Sequence, residues 1–318
     1  MKMAQKIIGV DLGGTSVKLA ILDLSGTIEK QWSITTDISE GGVPIIPNII
    51  KSLRKQLEKE DISVQDIKGI GMGSPGQINF KKGTVIGAYN LGWTTEQDVK
   101  SQFEEAFGRP FYIDNDANVA ALGERWCGAG QNASDVIFVT LGTGVGGGII
   151  AGGHLLHGAN GSAGEIGHMV IDENGILCTC GNRGCLETVA SATAIVNLAK
   201  MCAVDYPLAD ALKDLIRSDE VTAKDVFDYA KKNNQLANQI IDKFSTYLGK
   251  SLSQLANALN PDYIVIGGGV SAAGDYLLDK VNKEFQKYAF PTVRISTKLA
   301  LATLGNDAGV IGAASLVL

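Results

Sequence analysis

The sequence predicts a two-domain α/β protein, and three observations predict it. Apolar strand-like runs alternate with helical periodicity along most of the chain. A strand–glycine turn–strand unit occurs twice, as IIGVDLGGTSVKLAIL near the start and as VIFVTLGTGVGGGIIAGG over residues 136–153. At 318 residues the chain can bury two cores of ordinary size, one for each copy of that unit.

Taken in order, KIIGV and VKLAIL read as two strands joined by the turn DLGGT. Apolar residues at helical spacing make Pro47 to about Glu60 a helix. IKGIGMGSPG is a strand entering a glycine-proline loop, DVKSQFEEAFG a helix, FYIDND a strand, and ANVAALGERWCG a helix starting where that strand ends. After the second glycine unit, Thr188 to Asn260 is almost wholly helical in period. YIVIGGGVS then gives a strand and glycine turn, AGDYLLDKVNKEFQKYA a helix, and VRIST a strand. A final helix follows the cap-like pair Asn306–Asp307. No Pro/Ser-rich linker interrupts the chain, so the domain break falls in compact sequence near the end of the IDND strand.

Composition narrows the function. Hydrophobic residues at 45% and charged residues at 19% describe a soluble globular chain, and a net charge of −6 argues against non-specific nucleic-acid binding. No apolar run is long enough to span a bilayer, and the opening residues lack the apolar core of a secretion signal, so no membrane role and a cytoplasmic location are expected. The 39 glycines are the anomaly, because clustered glycine marks places where backbone must come close to something.

Short Gly-Thr turns between strands aim several backbone N–H groups at one point, which suits phosphate oxygens. VDLGGTSVK adds Asp11 to hold a hydrated Mg²⁺, the Thr15 hydroxyl and the Lys18 cation around Gly13 and Gly14, as a nucleotide γ-phosphate requires. Thr143 and Gly144 make the second such turn, and Gly268 and Gly269 open a third glycine turn. A plain hairpin explains one such unit equally well; repetition favours nucleotide. The string GTGVGG at 142–147 leads into a strand, which disqualifies it as a dinucleotide fingerprint.

Five cysteines occur, and three of them, Cys178, Cys180 and Cys185, fall within eight residues as C-x-C-x₄-C, with His168 ten residues before the first. Three thiolates and an imidazole form a closed tetrahedral set of structural zinc type, and C-x-C is not a redox C-x-x-C pair. Cys127 and Cys202 sit in apolar helical patterns and are expected in the core. His154 and His157 carry no partner pattern.

VDLGGTSVK, MGSPG, NLGW, IDNDANVAALGE, VTLGTGVGGGII, GEIGH, CTCGNRGCLE and IVIGGGVS occur in the order found in the ROK family of sugar kinases and repressors, which the chain resembles from about residue 7 to about residue 315. Its ATP-dependent bacterial glucokinases are the nearest match. The resemblance implies the two-domain actin-like, ribonuclease H-like ATPase fold with a deep interdomain cleft. The N-terminal α/β domain would be 1–116 plus 304–318, with the first phosphate turn and part of the sugar site. The C-terminal domain would be 117–303, with the second phosphate turn, the cysteine loop, a helical insert and the adenosine-side turn.

The same resemblance implies transfer of a phosphoryl group from ATP to the 6-hydroxyl of glucose, with Mg²⁺ as working metal. Within IDNDAN it selects Asp116 as general base over Asp114, which the residues alone leave as a fair rival, and it gives Asn115 the adjacent sugar hydroxyls. Capping of the following helix is the plainer role for either Asx residue. The matching family positions place Gly76 and Asn90 at the sugar pocket, and Glu165, His168 and Glu187 near the sugar's anomeric end. Trp93 suits a sugar face or the core equally. Another hexose (mannose, N-acetylglucosamine, N-acetylmannosamine or fructose) and a non-catalytic sensor are the rivals. A DNA-binding repressor is disfavoured by the acidic charge and by a chain that opens on the first strand. A homodimer or tetramer is the family expectation.

Overall fold

The computed structural model describes residues 5–318, which cluster into two compact units: residues 5–132 with 155–163 and 304–318, and residues 133–154 with 164–303. In the first unit the strand Lys6–Leu12 pairs antiparallel with Ser16–Asp23, which pairs with the edge strand Ile28–Thr35. On its other side Lys6–Leu12 runs parallel to Ile67–Ser74, which is parallel to Phe111–Asn115. The edge strand alternates half-buried and exposed residues, while Lys6–Leu12 is buried on both faces, as a central strand requires. Ile8, Val10 and Leu12 point to the core under the helix Ile45–Lys59, whose Ile45, Ile49, Leu53 and Leu57 recur every fourth residue. Ile7 lies in the smaller core under the C-terminal helix Ala308–Ser315, and strand alternation puts Asp11 on that same face.

That helix rides unusually close to the sheet. A Cβ on Gly71 would lie 1.8 Å from the Ala313 carbonyl oxygen, and one on Gly312 would lie 1.6 Å from the Val119 carbonyl oxygen. Glycine at these positions lets the C-terminal helix press against both the strand Ile67–Ser74 and the helix Asp116–Cys127. For this reason Asp116–Cys127 clusters with the first unit, so the compact division falls later than the expected break at Asp116. The buried Glu124 carboxylate, accepting from Leu304 N at 2.8 Å, holds the returning C-terminal segment there.

The second unit repeats the arrangement. Val136–Leu141 and Val145–Ala151 form the antiparallel hairpin, Tyr263–Gly267 lies parallel to the first of them, and Lys298–Leu301 is parallel beyond it. Both five-stranded sheets therefore have the same order relative to their glycine hairpin, and the duplication expected from the sequence is structural. Five helices between Leu186 and Leu259 follow, the last (Gln235–Leu259) burying Leu236, Ile240, Phe244, Leu248, Leu252 and Ala256.

Three expectations change, and the open choice at Trp93 is decided. VRIST is not a strand: Pro291 starts the short helix Pro291–Ser296, and the strand begins at Lys298, in register with Tyr263. Cys127 is exposed at a helix end with its sulfur toward the Ser25 carbonyl, and Cys202 is only half-buried. Asp307 does not cap the final helix; its carboxylate accepts from Gln31 Nε2 at 2.7 Å and pairs with Lys18 at 3.3 Å. Trp93 is a core residue, 1% exposed, with its indole N–H donating to the Gly42 carbonyl. No helix among the described residues is long and apolar enough to cross a membrane.

Candidate active site

Asp11, one residue before the end of its strand, lies directly opposite Lys18 in the antiparallel register. The Asp11 carboxylate lies against Gly309 at the start of the C-terminal helix, so closely that a Cβ there would sit 2.6 Å from Oδ2. Burial pushes this carboxyl up to about 6; the Lys18 ammonium opposes the shift, and the charge of Asp116 adds to it. Asp11 and Asp116 therefore share one electrostatic neighbourhood within the first unit. Lys18 is engaged: its ammonium donates to the Asn306 carbonyl and pairs with Asp307.

The turn after Asp11 is closed by Gly13 N–H donating to the Ser16 carbonyl at 3.0 Å, and the Thr36 hydroxyl donates to the Gly13 carbonyl at 2.7 Å. Thr15 is exposed at its tip. Asn90 lies across this turn, its amide nitrogen 3.1 Å from where a Gly14 Cβ would be. Gly76 sits at φ +96 in the glycine-proline loop, where it lets the backbone pass Ala88.

The strand Phe111–Asn115 delivers Asp114, Asn115 and Asp116 to the N-terminus of the next helix. Asn115 is the cap, its Oδ1 accepting from Ala117 N at 2.9 Å, and Asp116 Oδ1 accepts from the same N–H at 2.8 Å. Asp116 is reached by solvent, yet the protein around it removes enough water to hold its carboxyl above the ordinary value, against the lowering effect of the Ala117 bond. A carboxylate raised above its ordinary value and reachable by solvent is fitted to accept a proton. Asp114 is built otherwise. At 3% exposure its Oδ1 accepts from Asn115 N and Asn118 Nδ2, both at 2.8 Å, and Oδ2 meets His157 Nε2 at 2.6 Å. All three contacts brace the loop and leave Asp114 no open face.

In the second unit the turn Gly142–Gly144 is closed by Gly142 N–H donating to the Gly144 carbonyl, leaving Thr143 exposed. Glu187 stands over it, its Oε2 2.4 Å from where a Gly144 Cβ would be. Gly268, at φ +79, crosses so near Leu141 that a Cβ would lie 2.5 Å from its backbone. Beyond it Gly269 enters a cavity of about 350 Å³ whose lining includes Ala192, Thr222, Phe227, Lys231 and Val270. A flat apolar slot with a few polar groups at its edge suits a heterocycle. The residues from 222 to 231 escaped the sequence reading because Thr222 and Asp225 already serve as a capping box, and nothing else there signals a ligand.

His168, Cys178, Cys180 and Cys185 come together with their donor atoms all within 4.8 Å of one another. Cys180 Sγ lies 3.6 Å from Cys185 Sγ, and Cys178 Sγ lies 3.6 Å from His168 Nδ1. Zinc held tetrahedrally at ordinary bond lengths requires about 3.8 Å between sulfurs and about 3.5 Å between sulfur and nitrogen. The donor set fits. Burial pushes the Cys185 thiol up to about 12, so that sulfur ionises only with a cation beside it. The loop folds around the cluster through Cys178 N–H donating to the Asn182 carbonyl at 2.8 Å and Gly181 at φ +94.

The flanking acids attach to the cluster. His168 turns Nδ1 to the sulfurs and Nε2 outward, 3.9 Å from Glu165 Oε2. Glu187 Oε1 accepts from the Cys178 thiol at 3.2 Å and the Thr179 hydroxyl at 3.4 Å. With metal bound Cys178 has no proton to donate, and the Thr179 hydroxyl is the loop group that keeps hold of Glu187, which in turn leans on the second glycine turn, while His168 stands beside Glu165. Asp11, Asn90, Asn115 and Asp116 gather in the first unit. Glu165, His168, Glu187, Thr143, Gly144, Gly268 and Gly269 belong to the second. His157 is the feature that sequence spacing did not signal, since its partner lies 43 residues away.

The chain belongs to the ROK family, whose model matches residues 7–318. It is 48% identical over 311 residues, 98% of this chain and 94% of the other, to a glucokinase from Halalkalibacterium halodurans. It is 31% identical over 98% of its length to a xylose repressor from Caldicellulosiruptor bescii, of which it spans 78%. Among solved structures, a ROK family glucokinase from Streptomyces griseus in complex with glucose and AMPPNP matches with a TM-score of 0.74 at 32% identity, covering 98% of both chains. The α/β units described above are accordingly the two-domain actin-like ATPase fold of ROK sugar kinases.

Proposed function

We infer that this chain is an ATP-dependent glucokinase, moving the γ-phosphoryl group of ATP to the 6-hydroxyl of D-glucose. The observation that carries the reading is the likeness to a glucokinase over 98% of this chain, in a chain that keeps a solvent-reachable Asp116 carboxylate at the end of a strand. Asp116 takes the proton of the 6-hydroxyl as its oxygen attacks. Asn115, Gly76 and Asn90 line the sugar site, and Glu165, His168 and Glu187 bind hydroxyls near the anomeric carbon. Backbone N–H groups of Gly14, Thr15, Thr143 and Gly144 receive phosphate oxygens, with Gly13 shaping the first turn through its own bond to Ser16 and Lys18 adding positive field behind it. Gly268 and Gly269 face the adenosine, whose base suits the cavity beside Phe227.

Mg²⁺, when bound, neutralises charge on the transferring phosphates, and the residue that would hold its hydration shell is Asp11. Its carboxyl ionises near pH 6, so binding of a non-hydrolysable ATP analogue with Mg²⁺ weakens as pH falls through that value. In Asp11→Asn the affinity, measured by calorimetry, is low and varies between about pH 5 and 7 only as the analogue's own terminal phosphate titrates. A wild-type affinity that does not change over this range removes Asp11 from the metal's shell. Zinc is the ion proposed for the cluster of His168 and three cysteines, where it is structural. A cytoplasmic location and a homodimer or tetramer complete the proposal. So does a functional division at Asp116, with 1–116 plus 304–318 on one side and 117–303 on the other.

The test is kcat/KM with ATP and Mg²⁺ across glucose, mannose, N-acetylglucosamine, N-acetylmannosamine and fructose. Glucose is expected to lead. Another leader keeps the mechanism and changes the substrate. Absence of turnover with all five selects a non-catalytic sugar sensor, the second reading, which the likeness to a xylose repressor favours.

A further inference from the structure

The segment 155–163 leaves the second unit's sequence and packs into the first, and it carries one side chain that the proposed chemistry does not use. His157 stacks on Phe80, ring centroids 3.8 Å apart and planes 14° from parallel. Its Nε2 lies 2.6 Å from Asp114 Oδ2, and Asp114 is nine-tenths and more buried. A carboxylate only accepts, so Nε2 carries the proton and donates. The other carboxylate oxygen takes the Asn115 backbone N–H and the Asn118 side-chain amide. The carboxylate is therefore fixed from three directions, by a ring that is itself clamped against a phenyl face.

We propose that His157 is a positioning residue for phosphoryl transfer: its N–H to Asp114 fixes the 114–116 turn and thereby sets where the Asp116 carboxylate and the Asn115 amide stand. The chemical argument is one of leverage. Asp114 is two residues from the base and bonds the backbone N–H of the residue between them. A buried carboxylate that lost one partner would turn to find another, taking Asn115 with it. Transfer requires the attacking hydroxyl in line with phosphorus, so a small turn of this loop is expressed in kcat. ATP binding, which uses other residues, is unaffected. Phe80 is part of the device, since its ring prevents the imidazole from swinging away from Asp114.

The inference rests on the glucokinase reading, and its tests separate the two. His157→Phe keeps a ring to stack on Phe80 and removes the donor; His157→Gln restores an amide N–H. The Phe variant is expected to lose about tenfold to a hundredfold in kcat with glucose, with KM for ATP within about twofold of wild type, and Gln is expected to recover most of the loss. In wild type labelled with ¹⁵N-histidine, the His157 ring shows a protonated Nε2. The chain holds three histidines, so assignment is direct. Wild-type kcat in folded His157→Phe overturns the proposal, as does equal loss in Phe and Gln or a bare Nε2 in the spectrum. Failure of wild type to phosphorylate glucose sinks the glucokinase reading instead, and the nitrogen spectrum still decides the pairing.

Discussion

Asp116→Asn is expected to bind glucose within about twofold of wild type and to lose about 10²–10⁴ in kcat, the share a general base supplies. The side chain keeps its size and the acceptor oxygen that Ala117 N–H now uses, so the helix cap formed with Asn115 survives. What is lost is the second, basic oxygen. Folding is unaffected because Asp116 is solvent-reachable and its carboxyl is held above its usual value, a sign that the charged form gains nothing from the fold. Asp114→Asn gives the contrasting result: the buried carboxylate accepts three hydrogen bonds, and an amide at that site cannot satisfy them all. That variant loses thermal stability as well as activity. Pre-steady-state phosphoryl transfer and glucose titration on both variants distinguish the roles. Near-normal turnover in Asp116→Asn would move the base elsewhere in the site.

The contrast also shows what the sequence could say about this loop. Two aspartates flank Asn115, and local sequence offers no means of ranking them, because both are Asx residues near a helix start. Their difference is made by His157 and Asn118, one of them distant in the chain. Family resemblance chose Asp116, and the geometry supplies a reason for that choice. The glycine turns were legible because each is a local unit, with strand, turn and return strand contiguous. The zinc-type cluster was legible because four ligands sit within eighteen residues. The cavity beside Phe227 was not, because Thr222, Phe227 and Val270 are ordinary residues for capping and core, and only the packing of separate segments brings them together. Cys127 was misplaced for a related reason: apolar periodicity places a helix face but does not reveal that the helix ends there.

Removing metal from the cysteine loop is expected to abolish detectable glucose binding while leaving most of the protein folded. Cys178 and Cys185 are 4% and 0% exposed, and burial pushes the Cys185 thiol up to about 12, so a central cation is what lets that sulfur ionise. Metal-free, the loop loses the bonds that hold its short irregular segments, since residues 169–185 contain no helix or extended strand. Glu165 and His168 precede this stretch and Glu187 follows it, so all three proposed sugar contacts lose their common anchor. The consequence reaches the second phosphate turn as well, because Glu187 is wedged against Gly144. The sheet and the helices from Ala192 onward keep a core to which the loop adds only the partly buried Met169 and Ile171 at its margin. Chelation, or Cys185→Ser, should therefore lower glucose affinity by about a hundredfold or more. Affinity for the ATP analogue should fall only modestly, through the Gly144 turn. Metal analysis of wild type should return one zinc per chain, and hydrogen exchange should rise in 165–187 and stay low in 235–259. A protein stripped of metal that still binds glucose as tightly as wild type would show that the cysteine loop serves some other end.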